Sequence, residues 1–363
     1  MGKNDAKIKE LEDLITNSQY NKRTQKAIGM YKAQLAKLKE KEESRGGKGK
    51  TEGYSVRKTG DGTVVLLGFP SSGKSTLLNG ITDAESEVGA YAFTTLTVVP
   101  GTLDYKHAKI QVLDVPGIVK GAASGKGRGT EVLAVLRNAD LIIILVDVNY
   151  PEHYDVLVKE IRETGIRINQ EIPDVKIKKT SKDGLKISKT VRLTNLNKET
   201  LSAILREFKI NNADVVIRSK INVDDFIDCI EANKKYIPAI TVVNKIDSVP
   251  LNIANKVAKR VKADLMISAQ KLEHLDELKE LIFQKLNLMR IYMKELRKEF
   301  DMNIPLIIEN RSSINDVCNK LHIDFSKKFK FARVWGHSAK FPGQKLSLRH
   351  VLFDGDVLEI HLF

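Results

Sequence analysis

The stretch Gly68-Phe69-Pro70-Ser71-Ser72-Gly73-Lys74-Ser75-Thr76 has the residue types and spacing of a phosphate cradle. Gly68, Gly73, Lys74 and Ser75 fit G-x-x-x-x-G-K-[ST], after the apolar run "GTVVLLGF" and before the apolar "LLNGI". Glycines at these places let backbone N–H groups curl around a phosphate, at a helix N-terminus that already favours anions. Lys74 brings a point charge to the β- and γ-phosphates, and the Ser75 hydroxyl is a ligand for Mg2+. A fortuitous glycine-rich turn needs neither a β-run before it nor a helix after it.

A cradle of this kind does not choose a base, but "VVNKIDS" can. Asn244-Lys245-x-Asp247 follows an apolar strand, at the strand end where a purine pocket lies in an open α/β sheet. The Asp247 carboxylate can accept from guanine N1–H and N2–H2. Adenine lacks those donors and would leave the carboxylate unpaired. The Lys245 stem can lie on the base plane. Ser268 and Ala269 of "ISAQ" come after a further apolar segment, and the Ala269 N–H is placed to meet guanine O6.

Between these two motifs runs "LDVPGIVKGAASGKGRGTE". Asp114 ends a strand where the Mg2+-side aspartate belongs, and the Gly117 N–H can reach a γ-phosphate. Upstream, "YAFTTLTVVPG" offers Thr94 and Thr95 as a ligand that reaches Mg2+ only with the triphosphate bound, and chemistry alone does not choose between them. Gly121, Gly125, Gly127 and Gly129 permit large backbone changes, so residues 90–130 are expected to change shape on hydrolysis.

The elements that must position these groups are legible as apolar runs. "GTVVLLGF", "AKIQVLDV", "ADLIIILVDV" and "IPAITVVNKID" are near-continuous and separated by helical stretches, the pattern of parallel strands buried on both faces. The stretch between the last two is too long for one connection, so residues 166–235 read as an insertion. In it, "VKIKKTSKDGLKISKTVRL" alternates like a hairpin around "KDG", and Asn197 or Thr194 caps a following helix. Residues 1–45 repeat apolar positions at helical spacing around "TNSQYN", a helical hairpin that either packs on its neighbour or reaches a partner. The end of the chain mixes strands with a serine-capped helix.

The chain has 363 residues with 60 Lys+Arg against 46 Asp+Glu, a net charge of +14 that suits a polyanionic partner or a solubilising surface. Cys229 and Cys318 lie far apart, as in a reducing compartment. No apolar run is long enough to span a bilayer, which excludes membrane insertion through a helix and points to the cytoplasm. The histidines show no ligand spacing. Trp335 among Arg333, His337, Lys340 and Lys345 is either an RNA-facing patch or a turn anchored by a half-buried ring, and the lysines of 176–189 are either a solvated face or an rRNA contact.

The motifs together resemble the Obg-related branch of translation-factor GTPases. Within it, "GFPSSGKSTLLN", "YAFTTLTVVPG", "LDVPGIVKGAASGKGRG" and "NKID" look like the developmentally regulated GTP-binding protein family, over nearly the whole chain. The resemblance implies an S5D2-like inserted module and a C-terminal TGS domain with a β-grasp fold. It implies Thr95 as the Mg2+ ligand, a role with ribosomes, rRNA or tRNA, and slow GTP hydrolysis helped by potassium. Many GTPases carry a glutamine directly after D-x-x-G to orient water; Ile118 stands there and cannot hydrogen-bond one. Potassium-activated relatives often carry asparagine where Ser71 stands.

The expectation is therefore an α/β P-loop GTPase. A helical arm is expected at 1–48, the GTPase domain at 60–165 and 236–290, an inserted α+β module at 166–235 and a TGS domain at 291–363. GTP or GDP with Mg2+ would be held by Gly68–Thr76, Thr94 or Thr95, Asp114–Gly117, Asn244–Asp247 and Ser268–Ala269. Lys74, Thr95, Asp114 and Gly117 would act on the γ-phosphate, with Ser75, Thr95 and Asp114 on the metal. A regulatory protein partner fits the missing glutamine. The alternatives are a nucleotide-gated RNA-binding scaffold with incidental hydrolysis, and an ATPase.

Overall fold

The computed structural model describes residues 3–19, 21, 23–45, 60–82, 99–115, 135–193, 196–295 and 304–363. Two helices open the chain, α1 (Lys3–Asn17) and α2 (Gln25–Arg45). Strand β1 (Gly62–Leu67) runs into α3 (Lys74–Ile81), followed by β2 (Val99–Tyr105), β3 (Ala108–Asp114), β4 (Leu141–Asp147) and α4 (His153–Glu163). Then come β5 (Ile166–Ile168), β6 (Val175–Lys179), β7 (Leu185–Lys189), α5 (Lys198–Glu207), β8 (Ala213–Ile217), α6 (Val223–Glu231) and β9 (Lys235–Ile237). The chain continues through β10 (Ala239–Asn244), α7 (Leu251–Val261), β11 (Leu265–Met266) and α8 (Leu275–Lys285). It ends with β12 (Leu288–Met293), β13 (Leu306–Glu309), α9 (Ile314–Leu321), the short α10 (Ile323–Lys327), β14 (Phe329–Trp335), β15 (Gln344–Leu346) and β16 (Val357–Leu362).

These elements form two compact units, Met1–Gly53 with Ile161–Tyr236, and Tyr54–Glu160 with Ile237–Phe363. The second unit holds a six-stranded sheet in the order β11-β10-β4-β1-β3-β2. Every residue of β1, β4 and β10 is buried, which is why their sequences do not alternate. Its strands pair in parallel except β2, which returns along β3 through the left-handed pair Lys106 and His107. The sequence does not single out β2 as a strand. Leu77, Leu78 and Ile81 of α3 and Leu275, Leu278 and Ile282 of α8 join the core beneath this sheet.

A five-stranded sheet, β13-β12-β16-β14-β15, packs on α9 around Met289, Ile291, Val317, Cys318, Ala332, Val334 and Leu358. Ser313 caps α9 in a reciprocal box with Asp316. This sheet begins at Leu288, three residues before the expected start of the C-terminal domain at 291. Strand hydrogen bonding, not composition, sets that edge.

The first unit corrects one expectation. Strands β6 and β7 are not a hairpin: β8 lies between them, antiparallel to β6 and parallel to β7. Alternation shows that a strand has one buried face, but it does not say which strand is its neighbour. The inward residues of β8, Ala213, Val215 and Ile217, are almost wholly buried, as a central strand requires. The arm packs on the insertion, the first of its two expected readings. Ala33 of α2 belongs to the core made by α5, α6 and β8, and a Cβ on Gly29 would lie 2.9 Å from the Thr200 methyl. Of the two candidate caps for α5, Asn197 is the one that accepts the Thr200 N–H; Thr194 lies outside the described residues.

In the same unit Arg167 donates to both carboxylate oxygens of Asp228, from Nε at 2.6 Å and from Nη2 at 2.8 Å. Both residues are buried. Asp228→Ala leaves the guanidinium without its counter-charge and is expected to destabilise the fold by about 3–5 kcal/mol. Urea unfolding of the full chain checks this; a change within about 0.5 kcal/mol, the size of an ordinary surface substitution, would contradict it.

Candidate nucleotide-binding site

Strand β1 delivers the cradle at the point where the strand order departs in two directions, β3 on one side and β4 on the other, the switch point of an open sheet. The backbone there is too crowded for side chains. A Cβ on Gly68 would lie 2.8 Å from the Leu145 carbonyl oxygen, and one on Gly73, at φ +94, 2.3 Å from Asn244 Nδ2. Ser71 takes a left-handed φ of 63 without being glycine. Ser72 N–H donates to the Phe69 carbonyl at 3.2 Å, while Pro70 and Ser71 face solvent. No side chain caps the N-terminus of α3. Lys74 is buried and donates to the carbonyls of Gly68 and Phe69, each at 3.2 Å. Burial pulls its pKa below the ordinary lysine value, and the Asp114 charge pushes the other way.

Asp114 ends β3 level with Leu66 of β1. Its Oδ2 accepts from Ser75 Oγ at 2.6 Å, while its Oδ1 is buried with no hydrogen-bond partner among the described residues. The Ser72 hydroxyl is buried and partnerless as well. Buried polar atoms are ordinarily satisfied, so two orphans in one cradle point to a ligand that completes them. A hydroxyl and a carboxylate oxygen side by side are a hard donor set that fits Mg2+. Thr76 follows, exposed, on the first turn of α3. Thr94, Thr95, Gly117 and Ile118 lie outside the described residues, as does the rest of the glycine run.

The base-side motif sits two strands away, at the end of β10. Asn244 is 1% exposed and bonds in two directions: Nδ2 donates to the Ser72 carbonyl at 2.9 Å, and Oδ1 accepts from the Ala269 N–H at 3.0 Å. The second bond alters one expectation. The Ala269 amide is engaged with Asn244, so it meets guanine O6 only if Asn244 releases it. Asp247 lies in the short turn Ile246–Ser248, and its Oδ1 accepts from the Ser268 hydroxyl at 2.5 Å, which sets the orientation of the carboxylate. Lys245, at φ 65, stretches to Asp147 with Nζ 2.7 Å from Oδ2.

Asp147 is a site residue that the sequence does not flag. It ends β4 opposite Asn244 in the register. Burial alone would raise its carboxyl pKa, but bonds from Lys245 and from the backbone and side chain of Asn149 outweigh that and hold it below the usual range. The available signal was positional: like Asp114, it is an aspartate closing an apolar strand. Among the described residues no cluster of three or more His, Cys, Asp or Glu could hold a separate metal ion.

A phosphate cradle at the switch point and an Asn-Lys-x-Asp tetrad two strands along the same sheet place the molecule among the P-loop GTPases. Residues 63–179 match the 50S ribosome-binding GTPase family, 182–288 the C-terminal region of that domain, and 291–362 the TGS domain. The chain is 51% identical to an uncharacterized GTP-binding protein of Methanocaldococcus jannaschii, covering 98% of this chain and 92% of that one. It is 43% identical to developmentally-regulated GTP-binding protein 1 of Xenopus laevis and 42% identical to ribosome-interacting GTPase 1 of Saccharomyces cerevisiae, covering 98% of both chains in each case. The chain belongs to the developmentally regulated GTP-binding protein family. It is a GTP-binding protein, and among the described residues no helix is long and apolar enough to cross a membrane.

Two substitutions test this geometry. Gly73→Ala puts a methyl group into Asn244 at a left-handed φ, and nucleotide affinity is expected to fall by at least about tenfold, the equivalent of 1.4 kcal/mol; titration with a fluorescent GDP analogue measures it. Asp247→Asn removes the carboxylate expected to accept the two guanine donors, and competition assays should show preference moving towards xanthosine triphosphate.

Proposed function

We propose that this protein hydrolyses GTP to GDP and phosphate as a slow switch acting in translation, on the ribosome or its RNA. The observation that carries hydrolysis is the Ser75–Asp114 pair beside a buried lysine, with Asp114 Oδ1 left partnerless. Ser75, Asp114 and Thr95 would hold Mg2+, which supplies neutralisation of the charge on the β- and γ-phosphates. Lys74 leaves the carbonyls of Gly68 and Phe69 for the phosphate oxygens, and its burial makes the exchange favourable because an anion is a better partner in a dry site. The Gly117 N–H would donate to the γ-phosphate; of the expected switch region 90–130, residues 99–105 and 108–114 are sheet strands β2 and β3, so the change on hydrolysis would fall outside those strands.

Positioning and charge carry phosphoryl transfer, so Ile118 in the place of a water-orienting glutamine implies a low intrinsic rate. Potassium or a regulatory protein would supply the missing help. Ser71 bears on the cation: its left-handed backbone is one that asparagine adopts readily, so Ser71→Asn fits the loop and should strengthen potassium activation. The ribosomal role rests on the net charge of +14, on the matched 50S ribosome-binding family and on the named yeast relative. The insertion and the TGS domain would present the switch to rRNA or tRNA in the cytoplasm, the insertion as an S5D2-like module.

Multiple-turnover assays in sodium or potassium, with and without ribosomes, test the enzyme. A rate that stays negligible in all four would favour the RNA-binding scaffold. Ribosome co-sedimentation with GDP or a non-hydrolysable GTP analogue, at two salt concentrations, tests the switch. Binding should differ between nucleotides and fall with salt.

A further inference from the structure

The Phe69 side chain adds a further contact to the cradle. The Phe69 ring stacks on the imidazole of His153, centroids 3.9 Å apart and planes 13° from parallel. Tyr150 lies against the same imidazole at 5.4 Å and 20°. The backbone of Phe69 is central to the cradle, since its carbonyl accepts both the Lys74 ammonium and the Ser72 N–H. His153 is the first residue of α4 and is reached from the end of β4 through a tightly bonded turn. In that turn Asn149 donates to Asp147 Oδ1 from its backbone at 2.9 Å and from its side chain at 3.0 Å. The Tyr150 N–H donates to the Asp147 carbonyl, and the His153 N–H to the Tyr150 carbonyl. Asp147 itself holds Lys245.

We propose that His153 is a positioning residue for nucleotide binding, the end of a strut, Asp147–His153, that ties the phosphate cradle to the strand end holding the base-side lysine. The proposal rests on the reading of Gly68–Thr76 and Asn244–Asp247 as the guanine-nucleotide site. The cradle is thereby fixed at two points on either side of the exposed Ser71: Ser72 through Asn244, and Phe69 through His153. Fixing both in advance removes ordering that nucleotide would otherwise have to impose on binding. His153 lies outside both motifs and acts on the cradle through the Phe69 ring, so its effect should fall equally on ground state and transition state. KM rises when the stack is lost and kcat does not change. The requirement is for a flat ring and not for a proton, so phenylalanine can replace histidine.

The test uses the full chain, with fluorescent GDP and GTP analogues for affinity and GTP turnover for KM and kcat. His153→Ala is expected to weaken GDP and GTP alike, by about three- to tenfold, the worth of one aromatic pair. Turnover at saturation should stay within about twofold, and His153→Phe should restore affinity to within about twofold. In the His153→Ala background, Asp147→Asn should cost less affinity than it does alone, because the strut is already broken. Should His153→Ala unfold, His153→Leu keeps the bulk without the ring and carries the same expectations. Wild-type affinity in the ringless variant, or equal losses in the phenylalanine and ringless variants, overturns the proposal. Failure of the wild-type protein to bind GDP would instead overturn the underlying reading of the site.

Discussion

One buried amide sets the geometry on which the nucleotide site depends. The Asn244 side chain donates to the cradle through the Ser72 carbonyl and accepts from the loop after β11 through the Ala269 N–H. At 1% exposure it has no water to fall back on, so each bond lost would leave a buried polar atom unsatisfied. That constraint fixes the spacing between phosphate side and base side. It also explains why position 73 is glycine, since any Cβ would occupy the space of the amide nitrogen. The sheet order makes the bridge possible: β10 lies beside β4, and β4 beside β1, with all three carboxyl ends on one side.

Charge is distributed along those strand ends as facing pairs. Asp114 lies close enough to Lys74 to offset part of what burial does to the lysine, and Asp147 holds Lys245. Each pair sets a lysine against an aspartate that closes a strand. The uncapped start of α3 adds its own partial positive charge. A site with one orphaned carboxylate oxygen among such groups favours a ligand that brings both an anion and a cation.

The GTPase sheet and the C-terminal sheet are joined by a shared core and by ionic contacts. Ile307 of β13 packs with the core under the six-stranded sheet, and the Lys320 ammonium donates to the Ile307 carbonyl while lying 3.6 Å from Asp61. On α8, Glu280 accepts from Tyr105 and Lys106 at the β2–β3 turn, and the hydrogen bonds from Lys106 and Tyr105 hold its pKa down to about 2. The same bond to Glu280 pushes the Tyr105 hydroxyl up to about 12. The β2–β3 turn is therefore clamped to α8. Farther out, the Trp335 ring lies within 3.3 Å of where a Gly343 Cβ would stand and has Lys294 over its face at 4.8 Å. Of the two readings of that tryptophan, the contacts favour a turn anchor.

The sequence by itself determined the parallel sheet and the position at its strand ends of the glycine-rich loop, of Asp114 and of the Asn-Lys-x-Asp tetrad. Each of these is written in adjacent residues: a run of apolar positions, or a motif whose backbone path follows from its glycines. The caps were legible too, because Asn197 and Ser313 act on amides a turn away. Only the tertiary structure decided that β8 separates β6 from β7, that α2 shares a core with the insertion, and that the C-terminal sheet starts at Leu288. It also decided that Asn244 claims the Ala269 amide, that Asp147 holds Lys245 and that His153 stacks on Phe69. Those outcomes depend on which surfaces meet, and a buried face or a strand end is equally satisfied by many partners until packing selects one.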